Sequence, residues 1–331
     1  MDSLTQIVLG AAVGEAVLGK KVGYKAMIYG AIAGTIPDLD VLSSHFVDTV
    51  TALEIHRGFT HSIVFSIFMG LGLGWLVSKW DSEATRKEWS WLFFMSLVTH
   101  PLLDAHTTWG TQLFWPLDLR LAYKNIFVID PLYTIPFTVF LFWAMFQPKG
   151  SYKRRKLNNL GLLISSSYML ITICLKGISY HHFKNELVEQ QLSYIEIETK
   201  PSPLNAVLWT ANVEQKDSYL IGDYSFFDTQ PISFKSYPKN HHLIAHLKMS
   251  TKLERLIHIS KGWYTITEVD GQLYFNDLRF GLIEINEKHD QFVFSYLLSE
   301  EENGLTISEL PKQMTDGKKL LFKLLERIKG N

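Results

Sequence analysis

The hydrophobic pattern of the chain changes near residue 180, and each half predicts a different architecture. The first half holds six apolar segments: Leu4–Leu18, Tyr24–Leu42, Ser62–Val77, Trp89–Leu103, Leu132–Phe146 and Leu157–Leu175. A helix that spans a bilayer needs about 20 predominantly apolar residues, and several of these segments are shorter. Six such runs still exceed what a soluble domain usually needs. We therefore predict an α-helical membrane domain of about six apolar helices over residues 1–180, with a large soluble helical core as the alternative.

Beyond residue 185 the apolar residues alternate with charged ones, as they do in a soluble domain. The predicted strands are Ser218–Phe227, Leu243–Met249, Leu256–Ile259, Tyr264–Glu268, Gln272–Phe275 and Phe292–Leu297. Asp270 and Gly271, between two of these strands, suit a two-residue hairpin turn. The leucines of the tail Lys312–Ile328 recur at the spacing of an amphipathic helix. Residues 185–331 are therefore predicted to form a β-rich α+β domain.

Composition narrows the classes of function. The chain has 331 residues and a formal net charge of −1, which gives no electrostatic indication of a nucleic-acid partner. The single cysteine, Cys174, lies inside an apolar segment. Disulfides within the chain and thiolate metal cages are therefore excluded. A metal site in this chain would be built from imidazoles and carboxylates.

The charges of the loops predict an orientation for the six helices. Basic residues concentrate in the loops after the first, third and fifth segments: Lys20, Lys21 and Lys25; Lys79, Arg86 and Lys87; Lys149, Lys153, Arg154, Arg155 and Lys156. Cytoplasmic loops carry the excess of Lys and Arg, so these loops are predicted to face the cytoplasm. The opposite helix ends and the C-terminal domain of this multi-pass protein would then be extracytoplasmic.

Histidines and aspartates gather at the helix ends that this orientation places on one face. They are Asp38 and Asp40 after the second segment, His56 and His61 before the third, and His100 and Asp104 at the end of the fourth. Ionisable groups at such positions are costly and usually functional. Imidazole with carboxylate, without thiolate, is the ligand chemistry of hydrolytic metal centres. These six residues are the predicted ligands of one or two divalent ions, with Zn²⁺, Mn²⁺ and Fe²⁺ as candidates.

Each of these short strings also has a plainer interpretation. The two aspartates after the second segment fit a polar helix end, and the two histidines before the third segment fit ordinary interfacial residues. His100 and Asp104, one helical turn apart on one face, fit a hydrogen-bonded pair that links helices. Two neighbouring residues favour a site: Gly58 allows a tight turn between the histidines, and the guanidinium of Arg57 suits a phosphate or carboxylate.

Three strings resemble those of the bacterial membrane-bound metal-dependent hydrolases of the YdjM/YfhP type: Pro37-Asp38-Leu39-Asp40, His56-Arg57-Gly58-Phe59-Thr60-His61-Ser62 and His100-Pro101-Leu102-Leu103-Asp104. The resemblance covers about residues 1–180. This family is also labelled LexA-binding, inner-membrane-associated hydrolase, so the resemblance implies a metal-dependent hydrolase of the bacterial inner membrane. Members often carry an Asp and a Thr-His pair near the N-terminus. Here Asp2 and Thr5 are present, but Gln6 replaces the histidine and could instead hydrogen-bond a ligand residue or a metal-bound water.

The residues and the resemblance together predict an integral membrane hydrolase that uses a metal-activated water on a phosphoester or another ester near the membrane surface. A carboxylate that is left over, Asp40 or Asp38, is the predicted general base, and Arg57 is predicted to hold the anionic group of the substrate. The predicted partners are the lipid bilayer and a small-molecule or lipid-like ester. Two alternatives stay open. One is a regulatory membrane protein with a structural metal, and the other is a transporter, for which only Glu15 lies deep in a segment.

Overall fold

The structure is a computed structural model, and it describes residues 1–247, 250–284, 291–301, 304–311 and 317–331. The chain divides into two compact units. Unit 1 comprises Met1–Ser43, Ile55–Leu175 and Pro203–Ala206, and unit 2 comprises Ser44–Glu54, Lys176–Ser202 and Val207–Asn331. The predicted division of the chain into residues 1–180 and 185–331 stays a prediction.

Helices build unit 1. They are α1 (Ser3–Val22), α2 (Tyr24–Thr35), α4 (Ile63–Val77), α5 (Arg86–Asp104), α6 (Pro131–Met145) and the first part of α7 (Tyr152–Glu189). The short helix α3 (Thr49–Ile55) lies mostly in unit 2. α1 and α2 pack with their backbones in close approach, since a Cβ atom on Gly10 would clash with the carbonyl oxygen of Gly30. Small residues allow such packing.

The prediction of about six membrane-spanning helices is wrong. In the part of the chain that the structure describes, α7 is long and apolar enough to cross a membrane alone, and Thr49–His61 with Ile63–Val77 qualifies only as a pair bent by 60°. α2, α4 and α6 have 12, 15 and 15 residues, whereas a span needs about 20. The multi-pass topology and the extracytoplasmic orientation rested on six spans, so they lose their basis.

The positions of the helices nevertheless follow the six predicted segments. The error was to assume that lipid covers their apolar side chains, many of which are covered by the protein itself. α1 and α5 are long enough to span, but most of their residues are buried within unit 1. The second predicted segment is interrupted: α2 ends at Thr35, before Pro37, and the chain continues as a 3₁₀ helix, Pro37–His45. Proline lacks the N–H that an α-helix needs at this position. This interruption places two aspartates in a tight turn.

Unit 2 contains two four-stranded antiparallel sheets, each with its strands in sequence order. The first sheet holds β1 (Glu196–Pro201), β2 (Leu208–Glu214), β3 (Ser218–Ser225) and β4 (Phe234–Pro238), and the second holds β5 (Tyr264–Val269), β6 (Gln272–Glu284), β7 (Gln291–Glu301) and β8 (Gly304–Glu309). The core on the second sheet joins Phe275 and Tyr296 to Val50 of α3 and Leu253 of α8 (Thr251–Ile259).

The β-rich character predicted for the second half is present, with local corrections. The strands predicted at 218–227, 264–268, 272–275 and 292–297 are confirmed as β3, β5, β6 and β7. The predicted turn is confirmed, since Asp270 and Gly271 have φ angles of 51° and 74°. The strand predicted at Leu256–Ile259 is wrong, because these residues belong to α8, where Leu253 and Leu256 face the core at helical spacing.

Two predicted elements lie partly outside the described residues. Of the predicted strand Leu243–Met249, the part that is described belongs to a 3₁₀ helix, His241–Leu247, and residues 248 and 249 lie outside. The predicted tail helix is confirmed over Gly317–Ile328 as α9, and residues 312–316 lie outside. The first outcome reflects a short apolar run, for which periodicity separates helix from strand poorly.

Candidate metal centre

Three separate turns of unit 1 carry the predicted site residues. Asp38 lies in the 3₁₀ helix after α2, His61 ends a second 3₁₀ helix, Phe59–His61, and His100 and Asp104 lie in the last turn and a half of α5. Ser62 fixes the second turn, because its hydroxyl accepts a hydrogen bond from the backbone N–H of Phe65 and caps α4. The four-residue spacing in α5 places its two residues on one helix face.

The structure brings Asp38, His61, His100 and Asp104 into one group whose potential ligand atoms all lie within 4.8 Å of one another. The Nε2 atoms of His61 and His100 are 3.1 Å apart. Asp38 Oδ1 lies 3.3 Å from each of these nitrogens, and Asp104 Oδ2 lies 3.7 and 3.8 Å from them. The side chains of His61, His100 and Asp104 are fully buried, and that of Asp38 is 25% exposed.

Hydrogen bonds at the far side of each ring determine which nitrogen carries the proton. Nδ1 of His100 donates to the carbonyl oxygen of Gly34 at 2.7 Å. The Thr60 hydroxyl donates to Asp40, so it accepts from Nδ1 of His61 at 3.1 Å. When both imidazoles are neutral, their Nε2 atoms present lone pairs to each other. These lone pairs repel unless a cation or a shared proton lies between them.

The separations within the group fit a bound divalent ion. Four nitrogen and oxygen ligands at about 2.0–2.2 Å from a tetrahedral ion lie about 3.3–3.6 Å from one another. The separations to the two imidazole nitrogens range from 3.1 to 3.8 Å. Asp104 Oδ2 is buried and has no hydrogen-bond partner. A buried carboxylate oxygen without a hydrogen bond, 3.7 and 3.8 Å from two imidazole nitrogens, is an arrangement that a cation would complete.

Asp104 is held on its other side by polar groups. Its Oδ1 accepts a hydrogen bond from Gln6 Nε2 at 2.8 Å and contacts the amino group of Met1. Nε of Arg57 lies 3.0 Å from Asp104 Oδ2 without hydrogen-bond geometry. The sequence indicated Gln6 as a partner for a ligand residue, and its amide does contact Asp104. The carbonyl of Gly34 could not be found from sequence, because backbone groups leave no pattern in it.

The electrostatics of the group favour ionised carboxylates and shift the pKa values of the two imidazoles in opposite directions. Burial raises the pKa of Asp104, but the charges of Arg57 and the Met1 amino group outweigh it and hold this pKa below its usual range. For Asp38, burial is outweighed by hydrogen bonds with His100 and His61, and its pKa is also lowered. Burial lowers the pKa of His100, whereas for His61 burial is outweighed by hydrogen bonds with Asp38 and Asp40, which raise its pKa. Ionised carboxylates and a neutral imidazole are the ligand forms that bind metal.

Asp40 and His56, both predicted as ligands, lie beside the group rather than in it. They pair with each other, with His56 Nδ1 3.0 Å from Asp40 Oδ1. Asp40 Oδ2 accepts hydrogen bonds from the backbone N–H of Arg57 at 2.7 Å and from the Thr60 hydroxyl at 3.1 Å. It also lies 3.4 Å from Nδ1 of His61. Asp40 therefore lies beside Nδ1 of His61, which belongs to the group, and hydrogen-bonds Nδ1 of His56, which lies outside the group.

Arg57, predicted to hold the substrate, lies inside the protein. Arg57 is only 6% exposed, and its φ angle of 58° lies in the left-handed region. The guanidinium Nη1 donates to the Thr107 hydroxyl at 2.8 Å, and Nε lies beside Asp104. A guanidinium in these contacts neutralises and positions Asp104. Its planar, permanent charge suits that arrangement.

Comparison with known proteins identifies the family. Residues 1–180 match the family described as YdjM inner membrane protein. Inner membrane protein YbcI of Escherichia coli (strain K12) is 36% identical over 99 residues, which are 30% of this chain. The chain spans 57% of the length of that relative. No solved structure matches the chain. The family match covers more than half of the residues, so this chain belongs to the YdjM family of inner membrane proteins.

Proposed function

We propose that this protein is a metal-dependent hydrolase of the inner membrane, with Asp38, His61, His100 and Asp104 as the ligands of one divalent ion. The observation that carries the proposal is the 3.1 Å approach of two imidazole nitrogens, each 3.3 Å from the same carboxylate oxygen of Asp38. Two carboxylate oxygens beside these nitrogens make the group anionic, which favours a divalent ion over a single proton. Nitrogen and oxygen ligands without thiolate suit Zn²⁺, Mn²⁺ and Fe²⁺.

The residues around the ligands hold them in place. Gly34 and Thr60 accept from the Nδ1 atoms of His100 and His61 and so point both Nε2 atoms inward. Gln6 and Arg57 orient Asp104. Such outer contacts fix ring orientation and strengthen ligands. When bound, the ion would polarise an ester oxygen and lower the pKa of a water. Asp38, the partly exposed ligand, marks the side from which solvent and substrate would enter.

The surroundings of the site favour an ester with an apolar part. Phe59, two residues before His61, packs its ring 4.8 Å from that of Trp115, and the two residues are 44% and 38% exposed. Leu39, between the two aspartates, is 57% exposed. Exposed apolar side chains next to buried charge suit a substrate with a polar head and an apolar chain. A phosphoester or another ester at the membrane surface is the substrate class that we propose.

The proposal is tested on the full-length protein purified in detergent. The protein is stripped with a chelator and reloaded with Zn²⁺, Mn²⁺ or Fe²⁺, and bound metal is counted by mass spectrometry. We expect about one ion per chain and metal-dependent hydrolysis of bis-p-nitrophenyl phosphate or of p-nitrophenyl carboxylic esters. Protein that binds none of these ions would refute the metal centre. Loaded protein that hydrolyses none of the probes would refute the hydrolase.

A non-catalytic regulatory protein with a structural metal is the second candidate. It is favoured by one observation: three of the four ligands are fully buried, and structural ions are usually closed by four protein ligands, whereas catalytic ions keep an open position. Cobalt substitution separates the two. Added azide will change the visible spectrum of a Co²⁺ centre that has an open position and will leave a closed centre unchanged.

A further inference from the structure

We infer that His56 is the proton-transferring catalytic residue of this site and that Asp40 positions it. The inference rests on the proposed hydrolase and reverses the roles that the sequence predicts for these two residues. It is carried by the hydrogen bonds around both side chains and by their different exposure to solvent.

Both carboxylate oxygens of Asp40 already accept hydrogen bonds from groups of the protein. Oδ1 is occupied by Nδ1 of His56 at 3.0 Å, and Oδ2 accepts from the backbone of Arg57 at 2.7 Å and from Thr60 at 3.1 Å. The Asp40 side chain is 1% exposed. A buried carboxylate with these donors orients its neighbours. It lies where the Asp of a catalytic Asp–His pair lies, behind Nδ1 of the imidazole.

His56 has the complementary arrangement. Its Nδ1 donates to Asp40, so its Nε2 carries a lone pair. Its side chain is 30% exposed, and no hydrogen bond from the described residues reaches Nε2. The residue is held at the rim of the site, because Arg120 donates to its carbonyl oxygen at 3.1 Å and its ring packs 5.6 Å from that of Trp109.

The three histidines of the site differ in where Nε2 points. In His61, His100 and His56, Nδ1 is engaged by an oxygen, which leaves Nε2 as the functional nitrogen. His61 and His100 turn Nε2 toward each other inside the ligand group. The ring of His56 lies 6.3 Å from that of His61 and outside the group, and its side chain is 30% exposed. This nitrogen is therefore available to a water or to a leaving group.

The step that follows is a balanced proton transfer. As the oxygen of the attacking water bonds to the phosphorus or acyl carbon of the ester, Nε2 of His56 accepts the proton of that water. The bond from phosphorus or carbon to the leaving alkoxide then breaks, and the His56 imidazolium returns the proton to the leaving oxygen. Asp40 stays ionised and stabilises the imidazolium between the two transfers.

The test combines metal content with turnover of bis-p-nitrophenyl phosphate, or of the p-nitrophenyl ester that the wild type hydrolyses. We expect His56→Ala to keep about one ion per chain, to lower kcat by about 10²–10⁴-fold with a smaller change in KM, and to regain turnover in added imidazole. His106→Ala is the matched control, because His106 hydrogen-bonds Asn125 and lies outside the ligand group. It should keep both metal and kcat and show no response to imidazole.

Each outcome decides the roles. Loss of the ion from His56→Ala would make His56 a ligand and overturn the inference, and so would unchanged kcat. Retained metal with lost turnover that imidazole does not restore would also overturn it, because the loss would then be structural. A wild-type protein that binds metal but hydrolyses no probe would refute the proposed hydrolase together with this inference, whereas wild-type turnover that survives His56→Ala refutes the inference alone.

Discussion

Unit 1 and unit 2 bury charged side chains in different ways. In unit 2, Arg279 and Asp277 form a forked pair, with Nη2 to Oδ2 at 2.6 Å and Nε to Oδ1 at 3.0 Å, and their side chains are 1% and 4% exposed. Each charge there has its opposite within the pair. In the ligand group of unit 1, two carboxylates meet two imidazoles whose Nε2 atoms are 3.1 Å apart. The pair is complete within the protein, whereas we propose that a cation completes the ligand group.

A second pair shows that this difference does not come from the helices of unit 1. Glu15 of α1 is buried, and the sequence offered it no obvious partner. The structure supplies Arg154 of α7, which donates to both carboxylate oxygens at 2.6 Å. Unit 1 therefore matches the buried charge of one helix with the opposite charge of another helix. In the ligand group, Asp104 has Arg57 and the Met1 amino group as cationic neighbours, whereas Asp38 faces the two imidazoles.

The largest effect should come from removing an imidazole of the ligand group. His100→Ala deletes one of the two facing Nε2 atoms, and we expect metal affinity to fall by more than about 100-fold, beyond the range for residues that only support ligands. Chelator competition on the purified protein measures this. His106→Ala serves again as the control and should bind metal as the wild type does. Equal losses in both variants would contradict the assignment of His100.

The next effect tests the pair in unit 2. Arg279→Leu leaves the Asp277 carboxylate buried without its counter-charge, and we expect the free energy of unfolding to fall by about 3–5 kcal/mol. Circular dichroism of the β-structure during thermal unfolding measures this change. Metal affinity should stay unchanged, because the pair lies in unit 2 and the ligand group in unit 1.

The double variant Asp277→Asn with Arg279→Leu sharpens the same comparison. It removes both charges, so it should be less destabilising than Arg279→Leu alone. A double variant that is at least as unstable as the single one would mean that packing around Arg279, rather than its charge, stabilises unit 2.

The sequence could predict that the stretches around Asp38, His61 and His100 lie close together. Histidines and aspartates at the ends of apolar segments are costly to place there and are usually functional. It could not separate His61, which lies in the proposed ligand group, from its neighbour His56, which lies beside it. That distinction depends on the backbone between them, where Arg57 takes a φ angle of 58° and gives its N–H to Asp40. Local conformation of this kind leaves no periodic pattern in a sequence.

The sequence also could not count the membrane spans. Hydropathy reports that a side chain is apolar, but it does not report whether lipid or protein covers it. Leu92 and Leu97 of α5 are fully buried inside unit 1, whereas Leu163 and Leu170 of α7 are 61% and 65% exposed. All four residues contribute equally to an apolar run. Only α7 among these two helices passes as a span by length and composition.

A smaller effect is expected for Asp40→Asn. Asp40 faces Nδ1 of His61 at 3.4 Å and accepts from Thr60, so its charge helps to fix the tautomer of His61. We expect metal affinity to fall by about 10–100-fold, the range for groups that orient a ligand. Asp48→Asn is the control, because Asp48 accepts from the start of α3 and contacts none of the ligands. Chelator competition at fixed pH compares the two variants.

If the Asp40→Asn protein bound metal as tightly as the wild type, Asp40 would have no role in orienting the ligands. Its hydrogen bond to His56 would then be its main role. The comparison with the Arg279–Asp277 pair of unit 2 would then concern only the four proposed ligands of unit 1, without Asp40.

The smallest effect is expected for Gln6→Ala. Gln6 Nε2 donates to Asp104 Oδ1 at 2.8 Å, but that oxygen also contacts the Met1 amino group, and Arg57 lies beside Oδ2. Asp104 therefore keeps two cationic neighbours, and we expect metal affinity to fall by only about 10-fold. Gln112→Ala, which removes an exposed amide, should leave affinity unchanged. A loss as large as that of His100→Ala would instead mean that the amide of Gln6 is itself a ligand. The proposed ion would then be coordinated by five protein groups of unit 1.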